Sequence, residues 1–152
     1  MNLTEKQKKE KIAEINSKWY KTAAKHHDEE STIRNFIYPF LEALGWNLAL
    51  DLKREVNDID CVLYFENRPY IGIEAKSLSY GVLEESKSGV NFNKERLLKK
   101  CREIGARYAV ISRYIETIVF KVEDGSKIAS FKHPNEYIDK LEDLKILQKP
   151  FC

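Results

Sequence analysis

Apolar residues recur with two different periods in this chain, and the change from one to the other divides it. In "TEKQKKEKIAEINSKWYKTAAK", Ile12, Ile15, Trp19 and Ala23 form one narrow stripe at helical spacing on an otherwise polar, lysine-rich segment. A surface helix is expected there, opened by a capping box of Thr4 and Gln7. "DEESTIRNFIYPFLEALGW" is a stronger helix. Ile33, Phe36, Ile37, Phe40, Leu41 and Leu44 follow i, i+3, i+4, i+7, i+8, i+11 spacing; Gly45 supplies a stop, and Pro39 predicts a kink. Beyond the glycine the period falls towards two. "WNLALDLKREV" partly alternates, and "DIDCVLYF" and "YIGIEAKSL" are strand-like runs joined by the turn-rich "ENRP", which together read as a hairpin. "EESKSGVNF" reads as a loop. "NKERLLKKCREIG" reads as a helix with Leu97, Cys101 and Ile104 inward, Lys99, Lys100 and Arg102 outward, and Gly105 at its end. "RYAVIS", "ETIVFKV" and the weaker "SKIASF" follow as strands, and "HPNEYIDKLEDLKIL" as a closing helix with Pro134 near its first turn. The order α-α-β-β-β-α-β-β-β-α predicts an α/β (α+β) fold, a mixed central sheet flanked by helices.

Bulk properties narrow the class. The 152 residues suit one domain, and 43% hydrophobic with 33% charged residues is an ordinary globular composition. No apolar run is long enough to span a bilayer, and the charged start "MNLTEKQKKEKI" is no secretory signal. Cys61, Cys101 and Cys152 lie far apart without a C-x-x-C pair, so reduced thiols and a cytoplasmic setting are expected. A net charge of +2 predicts no nucleic-acid partner by itself; only its distribution can.

The chemistry begins at an anomaly. "YIGIEAKSL" should be a core strand, yet it carries Glu74 and Lys76, and burying a charge is costly unless it is paired. Strand alternation puts both on one face, with Ile71, Ile73 and Ala75 on the other. Asp60 begins the preceding strand, so an antiparallel hairpin brings it beside Glu74. The two carboxylates share a face only if paired residue numbers sum to an even value, which requires an odd-length loop or a bulge. Two carboxylates ~4 Å apart repel by roughly 4 kcal/mol at an effective dielectric of about 20. Lys76 relieves part of that, and a divalent cation more; hard oxygen donors in an incomplete shell suit Mg²⁺. Acid, acid and lysine in one cleft make a hydrolytic site for phosphate esters.

The residues Asp60 and Glu74-Ala75-Lys76 resemble the D…E-x-K signature of the PD-(D/E)XK nuclease superfamily. More narrowly, "EESTIRNFIYPFLEALGWN" with "DIDCVLYFENRPYIGIEAKSL" resembles the N-terminal nuclease domain of the motor subunits of type I restriction enzymes. The match is carried by Glu30, Arg34, Gly45, Trp46, Asp60, Val62, Leu63, Glu74, Ala75 and Lys76. It covers roughly residues 28–122 of a single nuclease-like domain (1–152), with an N-terminal helix in 1–27 and a C-terminal strand and helix in 123–152. The resemblance implies a restriction-endonuclease-like core and a Mg²⁺-dependent endonuclease acting on DNA, with Mn²⁺ able to substitute. It implies metal ligation by Asp60, Glu74 and the Ala75 carbonyl, assistance of the attacking water by Lys76, and a supporting acid at Glu30. Periodicity does not choose Glu30 over Glu29; the four-residue spacing to Arg34 in the resemblance favours Glu30. Two features depart from that family. No G-x-x-x-x-G-K-S/T loop is present, so no ATP-driven motor is expected, and the glutamine-tyrosine motif is not recognisable in "NKERLLKKCREIG". The chain then reads as a stand-alone domain or a piece acting with restriction-system partners, with a homodimer as an alternative.

Other candidates have plainer readings beside them. Lys94, Arg96, Lys99 and Lys100 form a basic helix face, either solvated or in contact with DNA phosphates. His26-His27-Asp28 invites a metal site, but adjacent helical side chains diverge by about 100°, which favours a solvated helix end. Asp60 could cap a turn with Asn57 and Asp58, Glu74–Lys76 could be an exposed salt bridge, and an acid at Glu30 suits a helix N-terminus without catalysis. Tyr20, Tyr64, Tyr70 and Tyr80 could stack on bases or simply pack. Two rival functions remain open: a catalytically weak or inactive binding module of the same fold, and a structure-selective nuclease.

Overall fold

The chain is described as a computed structural model over residues 3–22, 28–78, 83 and 94–150. Helix α1 (Glu5–Thr22) opens with the expected box: Gln7 N–H donates to Thr4 Oγ1 at 3.1 Å, and Thr4 N–H to Gln7 Oε1 at 2.9 Å. Ile12 and Ile15 are buried, and Trp19 packs partly against the core. Ala23, His26, His27, Tyr80 and the "EESKSGVNF" segment lie outside the described residues. The second helix is built in pieces: α2 (Glu29–Thr32), a π-helical stretch (Ile33–Ile37) and α3 (Tyr38–Ala43). Asp28 caps it by accepting from Ser31 N–H at 2.8 Å. The Pro39 kink takes the form of this π turn. Tyr38 N–H reaches back to Ile33 O, and the Asn35 carbonyl, which Pro39 cannot serve, accepts from Lys18 Nζ at 3.4 Å. All six apolar residues of the predicted stripe are buried.

The alternation expected in "WNLALD" gives way to a short helix, α4 (Leu48–Asp51). Asn47 accepts from Ala49 N–H at 3.2 Å, and Asp51 Oδ2 accepts from Asn47 N–H at 2.9 Å. These reciprocal local bonds win over a weak period. The sheet then runs β1 (Leu52–Val56), β2 (Ile59–Phe65), β3 (Arg68–Ala75), β4 (Tyr108–Ser112), β5 (Thr117–Lys121) and β6 (Lys127–Phe131), neighbours in sequence order. All pairs are antiparallel except β3 and β4, which are parallel and joined across α5 (Lys94–Ile104). The fold is therefore a mixed six-stranded sheet flanked by helices.

Each face of the sheet covers a core. Cys61, Leu63, Ile71, Ile73 and Ala75 pack against α1, the broken second helix and the C-terminal segment. Val62, Ala109, Ile111 and Ile118 pack against Leu97, Leu98 and Cys101 of α5. Ile104 is only partly buried. Lys100, expected to point outward, is largely covered: its side chain is 14% exposed and donates to the Asp58 carbonyl at 2.9 Å. The expected closing helix is broken into α6 (Glu136–Asp139) and a 3₁₀ turn (Asp143–Ile146). Tyr137 holds the first piece by bonding Thr117 Oγ1 at 2.6 Å and the Tyr114 carbonyl, and the bend beyond it lets Leu144 and Leu147 reach the core.

The β2–β3 hairpin carries the fold's main irregularity. Its turn residues Glu66 and Asn67 have φ of 52° and 63°, a two-residue turn of the type I′ kind. Phe65 pairs with Arg68 and Tyr64 with Pro69, which are odd sums. From Leu63↔Ile71 to Cys61↔Ile73 the sums are even. Tyr70 is the extra residue that changes the parity, and Pro69, having no N–H, is suited to a bulge.

Candidate active site

Carried one pair past Cys61↔Ile73, the even register sets Asp60 opposite Glu74. The Asp60 carboxylate closes this end of the hairpin: Oδ2 accepts from Ala75 N–H at 2.8 Å. It therefore braces β3 rather than capping the Asn57–Asp58 turn. Glu74 and Lys76 are 23% and 26% exposed, with Lys76 Nζ 3.8 Å from Glu74 Oε2. Burial pushes the Glu74 carboxyl above its ordinary value. Lys76 pulls it back, the Asp60 charge adds to the rise, and Lys100 and Arg96 oppose it more weakly. Burial, more than the balance of neighbouring charges, thus keeps this carboxyl raised.

The helix contributes Glu29, not Glu30. Glu29 is an exposed residue, yet partial burial raises its carboxyl, helped by the Asp60 charge and by a hydrogen bond to Asp60, while Lys76 lowers it and Glu74 raises it further. Glu30 points elsewhere: its oxygens lie 2.5 Å from Arg54 Nη2 and 3.3 Å from Arg34 Nε, and its side chain is 51% exposed. The Arg54 hydrogen bond holds its carboxyl below the usual value. Glu30 reaches the site only through Arg54, whose Nε donates to the Asp60 carbonyl at 2.8 Å. The four-residue spacing to Arg34 that singled out Glu30 is an exposed helix-surface pair, which aims an acid outward.

Several supports carry no sequence signal. Leu78 N–H donates to Thr32 Oγ1 at 3.0 Å and the Leu78 carbonyl accepts from Arg113 Nη1 at 3.1 Å, fixing the chain just past Lys76. Glu116 is 2% exposed; its Oε1 accepts from Leu83 N–H at 2.8 Å and Arg113 Nε at 3.2 Å. The Ser112 carbonyl accepts from Lys76 N–H at 2.9 Å. On the basic helix, Arg96 Nη2 and Lys100 Nζ lie 3.4 and 3.3 Å from Asp58 Oδ2, Lys94 Nζ sits 4.9 Å from the Phe120 ring centroid, and Lys99 is exposed. Of these, Arg96 and Lys100 act on Glu74 electrostatically.

The donor set suits a hard cation. Among the described residues no three His, Cys, Asp or Glu side chains gather tightly enough to form a ligand shell of protein side chains alone. Asp60 and Glu74, with the Ala75 carbonyl between Glu74 and Lys76, supply an open oxygen set of the kind Mg²⁺ accepts while keeping several waters. Cys61 and Cys101 are buried thiols pushed up to about 12 by burial, so neither is a nucleophile or a soft ligand at neutral pH. Among the described residues no helix is long and apolar enough to cross a membrane. Compared with known protein families, curated proteins and solved structures, the chain has no match in any of the three.

Proposed function

We propose that the protein is a Mg²⁺-dependent endonuclease that hydrolyses DNA phosphodiester bonds in the cytoplasm, alone, as a homodimer or with restriction-system partner subunits. The observation that carries this reading is the bulged register, which puts the Asp60 carboxylate on the Ala75 amide and so beside Glu74 and Lys76. Asp60, Glu74 and the Ala75 carbonyl would hold Mg²⁺, with Mn²⁺ substituting. Bound there, the ion supplies polarisation of a phosphoryl oxygen and acidification of a water. Lys76 Nζ, tethered loosely at 3.8 Å from Glu74, orients the water and offsets charge developing on the phosphorane-like transition state. Glu29, whose carboxyl is raised in part by the Asp60 charge, stands beside Asp60. Glu30 is a positioning residue that braces Asp60 through Arg54. Arg96 and Lys100 flank the acids on α5, where they meet the phosphates either side of the scissile one, and Lys94 and Lys99 extend that basic face.

A plasmid-nicking assay tests the reading. Wild-type protein should nick in Mg²⁺ or Mn²⁺ and not in EDTA, and Lys76→Ala should lose about 10²-fold or more while still retarding DNA on a gel. Nicking by Lys76→Ala at the wild-type rate removes the lysine from the mechanism. The rival, a binding module of the same fold, is favoured by the absence of a tight ligand shell among the described side chains. DNA retardation by wild type with no nicking in either metal would establish it, and faster cutting of branched than of linear substrates would make the enzyme structure-selective.

A further inference from the structure

The chain has seven arginines, and five are held by the protein. Glu30 engages Arg34 and Arg54, Asp58 engages Arg96, the Val122 carbonyl accepts from Arg102, and Glu116 engages Arg113. Arg68 and Arg107 make no ion pair and no side-chain hydrogen bond among the described residues. Both are exposed, and both line the same open cleft of about 640 Å³, together with Phe65, Glu66, Tyr70 and Pro150. The Arg107 guanidinium lies 5.7 Å from the centroid of Tyr108, whose ring stands edge-on to Tyr70 at 5.6 Å; Phe65 is 5.9 Å from Tyr70 on the other side. On the far side of the tyrosines, Lys145 and Lys149 are occupied by Glu142 and Asp51, at 3.0 and 2.8 Å.

The cleft is separate from the acidic site. Arg68 stands six residues before Glu74, about 20 Å along an extended strand. Tyr70 packs on the sheet face away from α5, because the bulge turns it there beside Trp46, whereas Gly72 meets α5. Two uncommitted guanidinia suit a phosphate group, which each can grip through paired N–H donors. A wall of half-exposed tyrosine and phenylalanine rings suits a flat heteroaromatic ring. Glu66, the one acid in the lining, can accept from an exocyclic amine. A volume of this size matches a small-molecule site.

We propose that this cleft binds a nucleotide, with its phosphate between Arg68 and Arg107 and its base against Phe65 and Tyr70. The ligand is either a free mononucleotide or one unit of a single strand. The site does not depend on whether the acidic cluster cleaves DNA, so it is tested in EDTA. AMP and a fluorescein-labelled oligothymidylate are titrated into the full chain and into the Arg68→Ala/Arg107→Ala variant, whose thermal transition is checked first; Arg107→Gln replaces it if that transition is lost. A strand carrying 4-thiothymidine is photo-crosslinked and the adducts mapped. The expected result is at least a roughly tenfold loss of affinity in the variant for whichever probe binds, with strand adducts on Phe65 or Tyr70. Binding of AMP assigns the cleft to free nucleotides, and binding of the oligothymidylate alone assigns it to a strand. Binding of neither probe, unchanged affinity in the variant, or strand adducts confined to residues outside the cleft would overturn the proposal.

Discussion

Glu74 is the residue on which most of the chemistry turns, and its ionisation is coupled to folding. Burial makes its charged form less favourable in the fold than in the unfolded chain, so its carboxyl sits above the ordinary 4.5. Its contribution to stability is complete below the ordinary carboxylate range and is lost as pH rises through the raised value. In EDTA, the melting temperature of the wild type should therefore fall more between about pH 5 and about pH 8 than that of Glu74→Gln. Mn²⁺ should raise it at the upper end in the wild type alone, because an ion favours the ionised carboxylate. Parallel pH profiles in scanning calorimetry would contradict this. That Glu74 and Asp60 matter was legible in the sequence, because a charge in a buried strand requires an explanation. That Glu29 rather than Glu30 faces them was not: both begin the same helix, and only the three-dimensional placement of Arg54 shows that Glu30 is already taken.

Among the elements, the contact between β3 and α5 is the tightest constraint. A Cβ on Gly72 would stand 2.6 Å from Cys101 Sγ, closer than packed atoms come. Gly72→Ala should cost about 1–3 kcal/mol in urea unfolding. Cys101→Ala in the same chain should recover part of that loss, since it removes the obstructing sulfur; additive losses from the two substitutions would show that the clash is relieved elsewhere. The elements themselves were mostly readable. The second helix announced itself through six residues at one period, and the strands through runs of Val, Ile, Tyr and Phe. The failures share a cause. At "WNLALD" a reciprocal pair of side-chain caps outweighed a weak alternation. At "HPNEYIDKLEDLKIL" a helical period was overridden by Tyr137, tied to β5 and to the turn before it, and by two leucines that had to turn inward.

For the whole molecule, one sheet serves two cores, so neither helical layer has a hydrophobic face of its own without it. Urea unfolding followed by tryptophan fluorescence and by far-UV circular dichroism should give coincident midpoints. Trp19 and Trp46 report on the face opposite α5, and an earlier dichroism transition would mean that α5 melts separately. The C-terminal segment is part of this unit: Trp46 Nε1 donates to the Leu147 carbonyl at 2.8 Å, and Lys149 N–H to the Leu44 carbonyl at 3.0 Å. Leu147 is 3% exposed, and Leu147→Ala should cost about 2–5 kcal/mol, read as a lower urea midpoint at unchanged slope.

The single supernumerary residue in β3 makes the motif depend on strand pairing as well as spelling. Deleting Tyr70 removes the bulge itself, so the near-turn pairing runs on unbroken into Leu63↔Ile71 and Asp60 stays opposite Glu74; a hairpin of the present length without a bulge would instead set Glu74 opposite Ile59. The Tyr70 deletant should therefore still nick plasmid DNA, and loss of nicking would show that the bulge does more than set the register. Two chains that spell this signature alike at equal spacing can therefore differ as a working enzyme differs from a decoy, and the bulge, not the count of residues between the acids, separates them.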